Sequence, residues 1–148
     1  MRRMTATAAC TLFVLLSGCA SESMLPANSA AVDFRSSEGK VGWSSYRETA
    51  TFTGVSEEQV YEAAKMALGD AGFALQSADR SAMRLTGKHG ITLHDWNIVA
   101  GIYYKRAGQG IEVLVQVEGS KDTGFSGDVT GDGWTGKILN AMRARLGQ

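Results

Sequence analysis

The chain has 148 residues, 44% of them hydrophobic, and carries 15 Lys and Arg against 15 Asp and Glu, for a formal net charge of zero. This length and composition suit one globular domain, and the balanced charge argues against the basic surface of a nucleic-acid-binding protein. No unit of roughly 20 to 50 residues repeats, which argues against a solenoid.

The first residues have the layout of a secretion signal. Arg2 and Arg3 form a short basic region, and residues 5–16 carry no charge. A basic region followed by a short apolar region is typical of a signal peptide. A transmembrane helix needs about 20 apolar residues, so this segment is too short to be a permanent membrane span.

The apolar region ends in the sequence Leu16-Ser17-Gly18-Cys19. An apolar residue three places before the cysteine, followed by two small residues, resembles the lipobox of bacterial lipoproteins. The resemblance implies cleavage before Cys19, acylation of its thiol and a mature protein outside the cytoplasm. The residue after the cysteine is Ala20 and not Asp. In Gram-negative lipoproteins, this difference indicates the outer membrane, with the protein facing the periplasm. The alternatives are an ordinary secretory signal that contains a cysteine, or a buried N-terminal helix.

Cleavage would divide the chain into a signal peptide (1–18), a lipidated N-terminus with a flexible tether (19–45) and a periplasmic domain (46–148). The tether is predicted because its Ser- and Ala-rich sequence lacks both helical and strand periodicity. Phe34 and Trp43 are exceptions that could dock onto the domain or onto a partner. Cys10 would leave with the signal and Cys19 would be acylated, so the mature domain would contain no disulfide.

The segment after Gly54 predicts an amphipathic helix with defined ends. Ser56 and Gln59 have the spacing of a capping box, and Gly72 suits the left-handed position after the helix. Apolar residues recur with helical spacing between these ends, and most are alanines. This face therefore predicts close packing against a sheet.

Strands are predicted from alternating patterns over 46–53, 73–77, 82–88, 97–105 and 111–118, and a second helix is predicted over 136–146. In the last strand, Leu114 interrupts an otherwise polar face. The stripe of Trp96, Ile98, Ala100, Ile102 and Tyr104 indicates the core face of a strand, or the wall of a cavity for a small apolar ligand.

These elements predict an α+β two-layer sandwich of order β-α-β-β-β-β-α, with both helices on one face of a curved antiparallel sheet. Residues 54–84 resemble the start of small envelope lipoprotein domains, including the helix-grip modules of the C subunit of the outer-membrane β-barrel assembly machinery. Domains of that type bind protein partners or support assembly and are not enzymes, and the resemblance implies the same here.

Two groups of residues contain side chains that could bind a metal ion. His89, His94 and Asp95 contain zinc-ligand types, but their spacing across a turn favours solvated loop histidines. Three aspartates in the Gly-rich stretch 119–136 lack the alternate acidic positions and the closing glutamate of an EF-hand; they are Asp122, Asp128 and Asp132. The sequence therefore predicts neither a metal nor a cofactor.

The same Gly-rich stretch contains two candidate partner-binding anchors, Phe125 and Trp134. Exposed aromatic side chains often supply binding energy in interfaces. For Trp134, the structural alternative is packing beneath the start of the last helix.

The leading hypothesis is a non-catalytic outer-membrane lipoprotein that binds an envelope protein in assembly or maintenance. The alternative is a carrier or sensor of a small apolar ligand, and a more distant one is an envelope hydrolase. The sequence has no G-x-S-x-G motif and no recognisable triad.

Overall fold

The computed structural model describes residues 20–35, 44–90, 98–119 and 133–148. Two 3-10 turns, Glu22–Met24 and Ser29–Ala31, come first. The strands and helices then follow as β1 (Ser44–Thr53), α1 (Glu57–Asp70), β2 (Phe73–Asp79), β3 (Arg84–His89), β4 (Val99–Ala107), β5 (Gly110–Gly119) and α2 (Trp134–Leu146). The predicted element order is confirmed.

The five strands form one sheet in the order β1-β5-β4-β3-β2, and all neighbouring strands are antiparallel. Both helices contribute to a single core with the side chains of one sheet face. We call this the inner face and the opposite one the outer face. The predicted two-layer α+β sandwich is therefore present.

Helix α1 has the predicted ends. The Ser56 side chain accepts a hydrogen bond from the Gln59 backbone, and the Gln59 side chain accepts one from the Ser56 backbone. Gly72 follows the helix with φ of 84°. The close approach to the sheet is also confirmed, because a Cβ atom on Gly87 of β3 would lie 3.1 Å from Cδ2 of Leu68 on α1.

The apolar stripe of β4 lies in the core, as predicted. Ile98, Ala100, Ile102 and Tyr104 are all buried there, while Trp96 lies outside the described residues. They pack against the inner-face valines of β5 and against α1 and α2, because period-two alternation places them on one face of the strand.

The first turn of helix α2 contacts both edge strands of the sheet, β1 and β2. The Thr135 hydroxyl donates to the Glu48 carboxylate of β1 at 3.1 Å. Trp134 stacks edge-on against Phe73 of β2, with ring centroids 5.4 Å apart. Since β1 and β2 lie at opposite edges of the sheet, the sheet must curve around this helix.

Residues 20–35 differ from the flexible tether expected for 19–45, because they pack on the outer face of the sheet. Ala20, Leu25 and Phe34 in this segment are buried. Each of these side chains packs on an apolar side chain of the outer face, and this burial of apolar surface stabilises the segment. A prediction from composition does not include such contacts. The proposed cleavage site and lipobox lie outside the described residues, and so does Trp43.

Candidate functional site

The feature that most distinguishes this domain is the covering of its outer sheet face by residues 20–35, here called the N-terminal segment. Ala20 and Leu25 form a small buried cluster with Val99, the first residue of β4. Farther along, the Ser29 backbone N–H donates to the carbonyl oxygen of Ala82 at 3.0 Å, in the turn between β2 and β3. The segment therefore runs from one end of the sheet to the other.

Glu22 is the main polar contact of the first turn. Its carboxylate forms an ion pair of 2.9 Å with Arg84 and accepts a hydrogen bond of 2.9 Å from the Thr86 hydroxyl. Thr86 is buried and the Arg84 side chain is only 13% exposed. The Glu22 side chain is itself 42% exposed, so this ion pair is shielded from water only on the Arg84 side.

Tyr103 of β4 holds the middle of the segment. Its side chain is fully buried, and its hydroxyl donates a hydrogen bond of 2.9 Å to the carbonyl oxygen of Pro26. Burial raises the pKa of Tyr103 to about 12, because the phenolate would lose its hydration. The phenol is therefore neutral at physiological pH and remains a donor.

The Tyr103 ring lies across Gly101 on the same face of β4. A Cβ atom on Gly101 would be 2.7 Å from the Tyr103 hydroxyl oxygen and 2.8 Å from Cε2. Only glycine leaves room for the ring at this position. The sequence therefore orients the tyrosine toward the N-terminal segment.

Phe34 closes the covered area at the other end of the segment. It forms a buried cluster with Tyr103 and Leu114, and the Lys105 ammonium lies 4.1 Å from the centre of the Phe34 ring. This explains why Leu114 interrupts the polar face of β5. Phe34 docks onto the domain, which is one of the two alternatives given for it.

A polar group lies on the β1–β5 side of the outer face. The Glu118 carboxylate, 8% exposed, accepts hydrogen bonds from the Ser45 hydroxyl at 2.6 Å and from the Gln116 amide at 2.5 Å. Gln116 Oε1 is buried without a hydrogen-bond partner. These three side chains form a hydrogen-bonded group on the outer face, but they do not form a nucleophile–base pair.

Trp134, predicted as a partner anchor or as a packing residue, is half-buried at the start of α2. Its ring contacts Phe73 and lies 4.4 Å, centroid to centroid, from His89. The Lys137 ammonium lies 4.3 Å from the centre of the same ring. The contacts match the packing alternative, and Phe125 lies outside the described residues.

The metal-site candidates are only partly described. His89 is the last residue of β3, half-buried against Phe73, rather than a solvated loop residue as expected. Its Nδ1 lies 2.8 Å from the Gly90 carbonyl oxygen. The remaining five candidates lie outside the described residues: His94, Asp95, Asp122, Asp128 and Asp132. Among the residues that are described, no three His, Cys, Asp or Glu side chains converge as a metal site.

A surface groove of about 380 Å³ opens at the start of α1. Its lining includes Tyr104 and Arg106 of β4, Arg80 after β2 and the first residues of α1. Arg80 pairs with Glu58, and Arg106 pairs with Glu57. The Arg80 hydrogen bond lowers the pKa of the exposed Glu58 carboxylate. Both arginines that line the groove are therefore already paired with carboxylates.

Neither this groove nor the covered outer face is predicted by the sequence. The signals for the covered face were present in Leu114, an apolar residue on a polar strand face, and in Phe34, an aromatic residue in a polar segment. Neither position identifies its partner until the strands are placed side by side. The groove has no local signal, because its arginines come from two separate hairpins.

Within the described residues, no helix is sufficiently long and apolar for a membrane span. No protein-family model matches the chain, and the search of curated proteins returns no match either.

Two solved structures are similar to this chain at low sequence identity. The crystal structure of Ara h 8.0201 has a TM-score of 0.49 at 12% identity, covering 72% of this chain and 97% of that one. The crystal structure of TTHA0849 from Thermus thermophilus has a TM-score of 0.43 at 12% identity, covering 69% and 96% respectively. Neither similarity bears on what this protein does.

Proposed function

We propose that the protein is an outer-membrane lipoprotein, anchored through Cys19, whose periplasmic domain acts by binding and not by catalysis. The lipobox residues Leu16, Ser17 and Gly18 support the anchor. The match of these residues to a lipobox is the observation that supports this proposal most directly, and in the structure the neighbouring Ala20 is only 2% exposed. The folded domain thus includes the residue directly after the proposed lipidated cysteine.

Partner binding is supported by the groove at the start of α1. Arginine is enriched among the residues that dominate protein interfaces, and this groove presents Arg80 and Arg106 together, while the buried Tyr104 contributes to its lining. Their guanidinium groups are preorganised by Glu58 and Glu57. An envelope protein with complementary polar and aromatic side chains would fit this surface.

A second candidate is a carrier or sensor of a small apolar ligand. The placement of two helices on one face of a curved antiparallel sheet favours it, because apolar side chains line the space between those layers. Near α1, however, this space is filled by the chain itself. A Cβ atom on Gly87 would lie 2.9 Å from Cβ of Phe73. A ligand would have to lie elsewhere between the layers.

Two measurements test the proposal. Labelling cells with a radioactive fatty acid should mark the wild-type chain and not Cys19→Ser; an unlabelled wild type would contradict the anchor. Purified protein should then be extracted with organic solvent and analysed by mass spectrometry. A stoichiometric apolar molecule would support the carrier, and its absence favours a protein partner.

The groove is tested by cross-linked pull-down from solubilised envelope. We expect Arg80→Ala/Arg106→Ala to lose the captured protein. Arg145→Ala should retain it, because Arg145 forms a similar exposed ion pair with Asp70 on the other helix. Equal capture by the wild type, the double variant and Arg145→Ala would exclude the groove as the binding surface.

A further inference from the structure

The N-terminal segment determines where an anchor at Cys19 would enter the domain. Consecutive Cα atoms are about 3.8 Å apart, so Cys19 adjoins the buried Ala20 with no linker between them. Ala20 packs in one cluster with Val99, at the end of the sheet where β4 begins and β3 finishes. A lipid on Cys19 would therefore be attached next to this end of the folded domain.

We infer that this end of the domain lies against the bilayer surface, with the opposite end directed away from it. The inference rests on the proposed acylation of Cys19. A bacterial lipoprotein carries several acyl chains on this residue, which is enough for stable anchoring. Because Ala20, the residue after the anchor, is buried in the domain, the anchor restricts the orientation of the domain relative to the bilayer as well as its location.

The contacts of the N-terminal segment make this orientation resistant to rotation. Glu22 is held by Arg84 and Thr86, and Pro26 is held by Tyr103. These contacts lie on two neighbouring strands of the same face. The segment would have to break them before it could serve as a flexible linker.

The inference also orients the groove. Tyr104 and Arg106 lie near the last residue of β4, whereas Val99 is the first residue of that strand. The groove and Val99 are therefore at opposite ends of the sheet. The groove at the start of α1 therefore faces away from the bilayer. A soluble or membrane-bound partner in the periplasm could reach it without displacing the domain from the membrane.

Two lysines on the outer face provide a matched pair of reporters. Exposed Lys88 is paired with Val99 in the sheet, whereas Lys105 lies six residues farther along β4 and pairs with Glu112. At a rise of about 3.3 Å per residue, the two positions are roughly 20 Å apart along the strands. Lys88 should lie near the lipid headgroups and Lys105 should not.

The test uses a chain that begins at Cys19, because every described contact lies within residues 20–148. Its single thiol is coupled to a maleimide-headgroup lipid in phosphatidylcholine vesicles. Lysines are then acetylated with an N-hydroxysuccinimide ester, and rates are compared with those of uncoupled protein by mass spectrometry. We expect a several-fold slowing at Lys88 and no change at Lys105.

A linker variant serves as the control. Inserting about 12 Gly and Ser residues between Cys19 and Ala20 gives a reach of roughly 20 Å, so the protection of Lys88 should disappear. Equal rates at Lys88 with and without coupling, or selective slowing of Lys105, would overturn the inference. Chemical coupling bypasses cellular acylation, so this result is independent of the fatty-acid labelling experiment.

Discussion

The hydroxyl of Tyr103 on β4 donates a hydrogen bond of 2.9 Å to the backbone carbonyl of Pro26 in the N-terminal segment. This contact joins residues 77 positions apart in sequence. It makes the stretch after the proposed lipid anchor part of the folded domain.

Tyr103→Phe should destabilise the domain by about 1 kcal/mol, because it removes one buried hydrogen bond while keeping the ring. The Pro26 carbonyl oxygen would lose its partner. Urea unfolding followed by circular dichroism measures this change. Limited proteolysis should also cut the variant sooner within residues 20–35 than elsewhere. Unchanged stability and an unchanged cleavage pattern would show that the contact does not hold the segment.

The stability of the wild type should fall in alkaline solution through Tyr103. Its pKa is about 12 in the fold, against about 10 in an unfolded chain. The unfolded state therefore releases the proton first, so the contribution is fully present below pH 10 or so and is lost between about pH 10 and 12. The loss should approach about 1.4 kcal/mol per pH unit for this one group.

This pH effect is isolated by comparing the wild type with Tyr103→Phe over the same range. Other tyrosines and lysines titrate in both proteins, so only the difference reports on Tyr103. A difference in unfolding free energy that is independent of pH would contradict the buried phenol.

Gly101→Ala should destabilise the domain by about 1–3 kcal/mol, because the added methyl group meets the Tyr103 ring at less than contact distance. The ring must move, and its hydrogen bond to Pro26 is lost with it. Gly90→Ala is the matched control, since a Cβ atom there meets nothing within 4 Å. Thermal unfolding of the two variants provides the comparison, and equal melting temperatures would refute the prediction.

Trp134→Ala tests whether this residue is a partner anchor or a packing residue. Loss of its contacts with Phe73 and His89 should cost about 2 kcal/mol of stability. Chemical denaturation and envelope pull-down should be measured on the same preparation. Wild-type stability combined with lost capture would instead identify Trp134 as an exposed anchor.

Much of the domain could be predicted locally. The ends of α1 follow from Ser56, Gln59 and Gly72, because capping bonds and a left-handed glycine depend on residues only a few positions apart. The inner face of β4 follows from alternation, because a strand turns successive side chains to opposite faces. These signals were sufficient for the element order and the two-layer architecture.

The candidate site was less predictable, because its contacts are not local. Phe34 and Leu114 each violate the pattern around them, and each violation is explained by the other. Arg80 and Arg106 lie in different hairpins and meet at the groove only because β2 and β4 belong to the same curved sheet.

The sequence by itself determined the periodicity of strands and helices, the helix caps and the match of Leu16 to Cys19 with a lipobox, all of which depend on short-range order along the chain. Only the tertiary structure decided that residues 20–35 lie on the sheet. A short segment rich in Ser and Ala, with only a few large apolar side chains, gains little by folding alone. It becomes ordered when Val99, Tyr103 and Leu114, brought together by strand pairing, offer apolar surface and a hydrogen-bond donor in one place.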